Sequence, residues 1–214
     1  MANTPLEQHV QSLEQENHAL RQEVTRLRTE NRRWARLAGT DALTGLPNKI
    51  SFLRALAPQA ITAATQTQTA LGFILLSADN LGPINETHGR IAGDQVLKGL
   101  GEFLKTLLPE NLILGHLDGS HFAIVLPKAT LEEVQARANM LRARIRSHVF
   151  TCGESTAQIT ASAGIMAVIP SQTRSEKEHV ETIFSHLNEA LYKAKSSGGN
   201  HIQAVTNTIN IEAI

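Results

Sequence analysis

The polar residues of this chain most able to do chemistry sit in short segments between apolar runs. Asp118, Gly119, Ser120 and His121 separate the apolar stretches 112–117 and 122–126, an order that predicts a β-hairpin with a polar tip. His121 is a metal-ligand type, but no second His, Cys or acid stands at a convincing ligand spacing from it. His88 and His116 read as ordinary polar surface. Asp94 opens a predicted helix, where an acid favours the helix dipole and caps amide groups. Asn85 lies in a turn-rich segment, where Asn is common. Thr40 and Asp41 offer N-cap chemistry, and Gly45, Pro47 and Asn48 mark a turn after them. Cys152, the single cysteine, can form no internal disulfide and reads as an inert packed thiol.

The elements that must position these residues form an α/β pattern from residue 39 onward. After a polar Thr/Gln-rich stretch at 65–69, the short apolar run 71–76 suits a buried strand. Residues 93–108 have helical periodicity, the hairpin follows, and 131–145 is again helical by period. Segment 159–169 has strand character, 180–195 is helical and 201–205 is a last strand. This alternation predicts an α/β (α+β) domain, a mixed sheet with helices covering one face.

The first 38 residues follow a different rule. Leu6, Val10, Leu13, Asn17, Leu20, Val24, Leu27, Asn31 and Trp34 recur in steps of four and three. With Val10, Asn17, Val24 and Asn31 at a and Leu6, Leu13, Leu20 and Leu27 at d, the seam favours two parallel strands. Glu16 and Glu23 then fall at g, and Arg21 and Arg28 at the following e, where charges pair between parallel helices. Asn17 and Asn31 read as register devices rather than a binding site. The expected organisation is a dimeric coiled coil over 1–38, one domain over 39–206 and a tail over 207–214.

Twenty basic and twenty acidic side chains cancel, so nothing draws the chain towards nucleic acid or an anionic membrane. No apolar run approaches the roughly 20 residues of a membrane span. The N-terminus is too polar for a signal peptide, and a cytoplasmic protein is expected.

Segment 41–48 reads DALTGLPN, 84–94 reads INETHGRIAGD, 117–127 reads LDGSHFAIVLP and 190–198 reads ALYKAKSSG. In that order and spacing they resemble the motifs of the GGDEF (diguanylate cyclase) family: its DxLTGLxN turn, its IND segment after the first strand, its signature hairpin and its ALYxAKxxG helix. Thr160, Ser162 and Gly164 match a strand that normally reads TxSxG. The resemblance spans 41–205 and implies the nucleotidyl-cyclase palm-like fold.

It also implies a chemistry that this chain has in part lost. In active members two carboxylates hold Mg²⁺ against the GTP triphosphate while a ribose 3′-oxygen attacks the α-phosphate of a second GTP. The matching residues here are Ser77 and Ser120, poor magnesium ligands. Asp79 and Asp118, the nearest acids, each sit two residues away, roughly 6 to 7 Å along a strand. The signature reads Asp118, Gly119, Ser120, His121, Phe122; Leu81, Gly82 and Gly199 replace the family's aromatic, lysine and arginine. The stretch 109–112 lacks the Arg-x-x-Asp of a product-inhibition site. Asn85 and Asp94 match the family's guanine-reading pair, and Lys195 a phosphate-contacting lysine. The reading is a catalytically inactive, dimeric regulatory or scaffolding protein of cyclic di-GMP signalling, with a protein partner. It requires no cofactor, and GTP with Mg²⁺ is a candidate ligand. Two alternatives stand beside it: a residual cyclase using Asp79 or Asp118 for metal, and a coiled-coil interaction module that binds no nucleotide.

Overall fold

The computed structural model describes residues 5–205. The chain divides into two compact units between Gly39 and Thr40. The first is one helix, α1 (Pro5–Gly39), about 52 Å long at 1.5 Å per residue. Leu13, Leu20, Val24 and Leu27 stand exposed along it. Arg26 binds Glu23 at 2.6 Å and Glu30 at 2.9 Å within the same helix. The side chains of Leu6, Val10, Arg28, Asn31 and Trp34 lie outside the described residues, as does the expected tail 207–214.

The second unit is built on a five-stranded sheet, β1 (Leu71–Ala78), β2 (Ile113–Asp118), β3 (His121–Pro127), β6 (Ala161–Val168) and β7 (Ile202–Ala204), in the order β2-β3-β1-β6-β7. Only the β6–β7 pair is parallel. A small separate hairpin joins β4 (Phe150–Cys152) to β5 (Ser155–Ala157). Cys152 in it is buried and unpaired.

Helices cover both faces of the sheet, not one as the sequence pattern led us to expect. Phe73 and Leu75 of β1 pack into a core with the helices α3 (Ala57–Thr67) and α7 (Glu176–Ser196). Ile74 and Leu76 point into the other core, with α5 (Arg90–Leu107) and α6 (Leu131–Ser147). Every residue of β1 is therefore buried, and its unbroken apolar run is what a strand covered on both sides requires.

Several elements were not legible as such. Residues 49–67 form a continuous helical path, α2 (Lys49–Ser51), a π-helical turn (Phe52–Leu56) and α3. The polar threonines fit because Thr62, Thr65 and Thr67 return their hydroxyls to carbonyls four residues back, at 2.8 to 3.0 Å. The cap of this path is Asn48, whose side chain accepts from Ser51 N at 3.0 Å, rather than Thr40 or Asp41. Asn85 lies within a short helix, α4 (Leu81–His88). The helix α7 starts four residues before its apolar period, at the capping box of Ser175 and Glu178.

Packing between β6 and α7 leaves no room at Gly164. A Cβ there would fall on the carbonyl oxygen of Leu187 and the amide of Leu191, both backbone atoms that cannot turn aside. Gly164→Ala should lower the unfolding free energy by about 1–3 kcal/mol, read as a lower urea midpoint with an unchanged m-value.

Candidate functional site

The site is organised at the end of β1. Alternation places Ser77 on the same sheet face as Phe73 and Leu75, the face that α7 packs, and Ser77 is fully buried. It pairs across the sheet with His121 on one side and Ser162 on the other. Its hydroxyl meets that of Ser120, in the turn of the hairpin, at 2.7 Å. One residue on, Ala78 N donates to Ser120 O at 3.0 Å, so backbone and side chain both tie the hairpin tip to β1. Two of the sequence-predicted positions thus touch directly.

Asp79 follows, and its carboxylate is fully used. Oδ2 accepts from Thr160 Oγ1 at 2.8 Å, from Ser162 Oγ at 3.1 Å and from Asn200 N at 2.8 Å. Oδ1 accepts from Ser162 Oγ at 3.0 Å, while the backbone N of Asp79 donates to Thr160 O at 2.8 Å. The carboxylate thereby joins β1, the segment entering β6 and the turn after α7. Gly199, with φ of +75°, lays its backbone against the same carboxylate.

Asp118 is also occupied. It binds Lys49 Nζ at 2.7 Å and His121 Nδ1 at 3.0 Å on the open side of the hairpin. The hydrogen bond from Lys49, more than that from His121, holds its carboxyl below the usual range despite partial burial. Two hydroxyls bonded to each other, with the adjacent acids engaged, are a poor donor set for Mg²⁺, which needs hard, charged oxygens to give up hydration. Among the described residues no group of three or more His, Cys, Asp or Glu converges as a metal site.

Asn85 packs against the residue that precedes Asp94. The Asn85 carboxamide lies where a Cβ on Gly93 would be, and Asp94 is the next residue. The structural roles expected for the pair do not hold. The helix α5 starts at Arg90 behind Gly89, so Asp94 is one turn inside it and caps nothing; Asn85 belongs to a helix, not a turn. Neither side chain has a hydrogen-bond partner among the described residues. Lys195 is exposed in the last turn of α7, and its carbonyl accepts from Gly198 N and Gly199 N at 3.1 and 3.2 Å. Asn200, five residues further on, closes onto Asp79.

His116, expected at the surface, is buried, with its ring centroid 4.7 Å from that of Phe122. It shares strand parity with buried Leu114, and that alternation was the available signal. Its Nε2 lies 2.9 Å from Gly119 O. Its Nδ1 lies 2.9 Å from Asp41 Oδ1, at ion-pair distance but out of hydrogen-bond alignment. Each ring nitrogen thus faces an oxygen that can only accept. Asp41 Oδ1 also accepts from Thr44 N at 2.9 Å and Thr44 Oγ1 at 2.8 Å. His116, Lys49, Thr160 and Asn200 therefore shape the site although spacing alone did not nominate them for these roles.

The family model for the GGDEF domain of diguanylate cyclases matches residues 38–201, most of the chain. The chain belongs to the GGDEF family. As a GGDEF domain it is 31% identical over 164 residues, 77% of its length, to diguanylate cyclase DgcP of Pseudomonas aeruginosa. It is 27% identical over 188 residues, 88% of its length, to the cyclic di-GMP phosphodiesterase PdeR of Escherichia coli. It spans only 23% and 27% of those two proteins. The solved coiled coil and GGDEF domain of DgcB from Caulobacter crescentus, in complex with c-di-GMP, superposes with a TM-score of 0.75 at 25% identity, covering 91% of this chain and all of that one. The mixed sheet flanked by helices is that of a GGDEF domain. No helix among the described residues is long and apolar enough to cross a membrane.

Asp41 gives the site a measurable pH response. Burial raises its carboxyl, but the two bonds from Thr44 and the approach of His116 outweigh this and hold it below the ordinary value of 3.8. A lowered folded-state value means stabilisation that is whole above the unfolded value and is lost as pH falls through the folded one. Asp41→Asn should lower Tm at pH 7 by several degrees, about 1–2 kcal/mol. The gap from the parent should narrow progressively below about pH 4, in a thermal-melt series across acid pH.

Proposed function

We propose that this chain is a catalytically inactive GGDEF protein that binds guanine nucleotide and regulates or scaffolds cyclic di-GMP signalling as a dimer. The observation that carries the reading is the state of Asn85 and Asp94. The Asn85 carboxamide packs on Gly93, the residue before Asp94, and neither side chain has a hydrogen-bond partner among the described residues. Asn85 is exposed and Asp94 half-buried; an unpaired carboxylate and amide suit the N1–H, N2–H and O6 edge of guanine, since the carboxylate can only accept and the amide can do either. Lys195, at the exposed end of α7, supplies a cation for phosphate. The loss of turnover rests on Ser77 and Ser120, neutral hydroxyls at the positions where active relatives need magnesium carboxylates, and on the engagement of Asp79 and Asp118.

Calorimetric titration of the purified protein with GTP, followed by chromatography of the same sample, tests this. Binding without cyclic di-GMP is expected. Asn85→Ala and Asp94→Ala should each weaken it by about 10- to 100-fold, the value of a hydrogen bond to a charged or buried group. Product formation would establish the residual-cyclase alternative, and a flat titration by folded protein the interaction module without nucleotide.

Dimerisation is supported by Leu13, Leu20, Val24 and Leu27, a described apolar stripe at a and d spacing that leaves about half of each side chain exposed on the single helix. A second copy with the same stripe is the partner that spacing fits. Light scattering should give twice the chain's 23.3 kDa. Leu13→Asp with Leu20→Asp should return it to monomer without altering the melting of the α/β unit.

A further inference from the structure

We infer that guanine nucleotide binds this chain without magnesium, because the Ser77–Ser120 pair replaces both the metal and the carboxylates that would hold it. The inference rests on the nucleotide reading above and specifies the form of the ligand.

The first step is the hydrogen bond itself. Ser77 is fully buried, and its Oγ has two partners, Ser120 Oγ at 2.7 Å and, more weakly, Ala78 O at 3.4 Å. The position is therefore filled by a neutral, hydrogen-bonded pair of hydroxyls. When Ser77 donates to Ser120, the Ser120 proton is free to point outward, towards an anionic oxygen, and the half-buried end of the pair is a donor. A carboxylate pair in the same place would be an acceptor only and would need a cation before phosphate could approach.

The second step is charge. Two carboxylates and a divalent cation cancel, and two hydroxyls with no cation are also neutral. The phosphates of a nucleotide thus meet the same net local charge in either case, and Lys195 is left to attract them. Bringing magnesium with the nucleotide would place a strongly hydrated dication beside a pair that offers it no anion. It would keep its water or lose it at a cost that nothing repays.

Neither Asp79 nor Asp118 is free to rescue the metal. Turning Asp79 to a cation would break its bonds to Thr160, Ser162 and Asn200 N, and with them the junction of β1, β6 and the turn after α7. Turning Asp118 would cost its bonds to Lys49 and His121.

The test is the dissociation constant of GTP for the full chain, measured by calorimetry in excess EDTA and again in excess Mg²⁺. The expected ratio is about one, or weaker binding in magnesium. Tighter binding in magnesium overturns this inference and leaves the nucleotide reading intact; no binding in either buffer overturns both. The double variant Ser77→Asp, Ser120→Asp should reverse the pattern. Its two carboxylates should repel free GTP, and magnesium should tighten binding by about tenfold or more. A folded double variant whose two constants stay equal would show that the hydroxyl pair does not govern the metal response, and the inference falls. If burying a charge at Ser77 prevents folding, Ser120→Asp alone, at the half-buried hairpin turn, is measured in the same two buffers and is held to the same direction of change.

Discussion

The α/β unit depends on one carboxylate, that of Asp79. A buried acid is tolerable only when donors surround it, and here hydroxyls from the segment at 160–162 and a backbone amide at Asn200 supply them. The acid and its donors come from three parts of the chain that meet at the site: the end of the central strand, which carries Asp79, the neighbouring strand and the turn that follows α7. The same arrangement suits a glycine at 199, where both the positive φ and the approach to the carboxylate disfavour a side chain.

This division of labour separates architecture from chemistry. Ser77 and Asp79 are two residues apart, yet one faces the hairpin hydroxyl and the other binds the scaffold. The proposed reading, a domain that keeps the fold without magnesium carboxylates, is therefore physically self-consistent, with Ser77 and Ser120 bonded to each other.

Much of this was legible in the sequence, for reasons that differ by element. The strands β1, β2 and β3 declared themselves because short apolar runs bounded by polar turns allow little else. The amphipathic period exposed α5, α6 and α7, although the start of α7 had to be read from its capping box and not from its apolar residues. The helix α4 was hidden by Gly82 and Pro83, which look like a loop but sit in a first helical turn where proline is tolerated. The second covering layer of the sheet was missed although the unbroken run at 71–76 implies it. Within the site, motif spacing nominated Ser77, Ser120, Asn85 and Asp94, and the structure brings the first two into direct contact. Contacts such as Lys49 with Asp118, or Asn200 with Asp79, join residues 69 and 121 positions apart, and no local pattern encodes them.

The margins of the sheet have their own consequence. One outer strand, β7, is three residues long, and the other, β2, is thrown out of register between His116 and Asp118. Neither presents the long, flat row of free amides and carbonyls on which an extended peptide could be added. Among the described residues of this sheet, the surfaces left for another protein are side chains on helices and turns, where single substitutions can redirect a partner without disturbing the strands beneath.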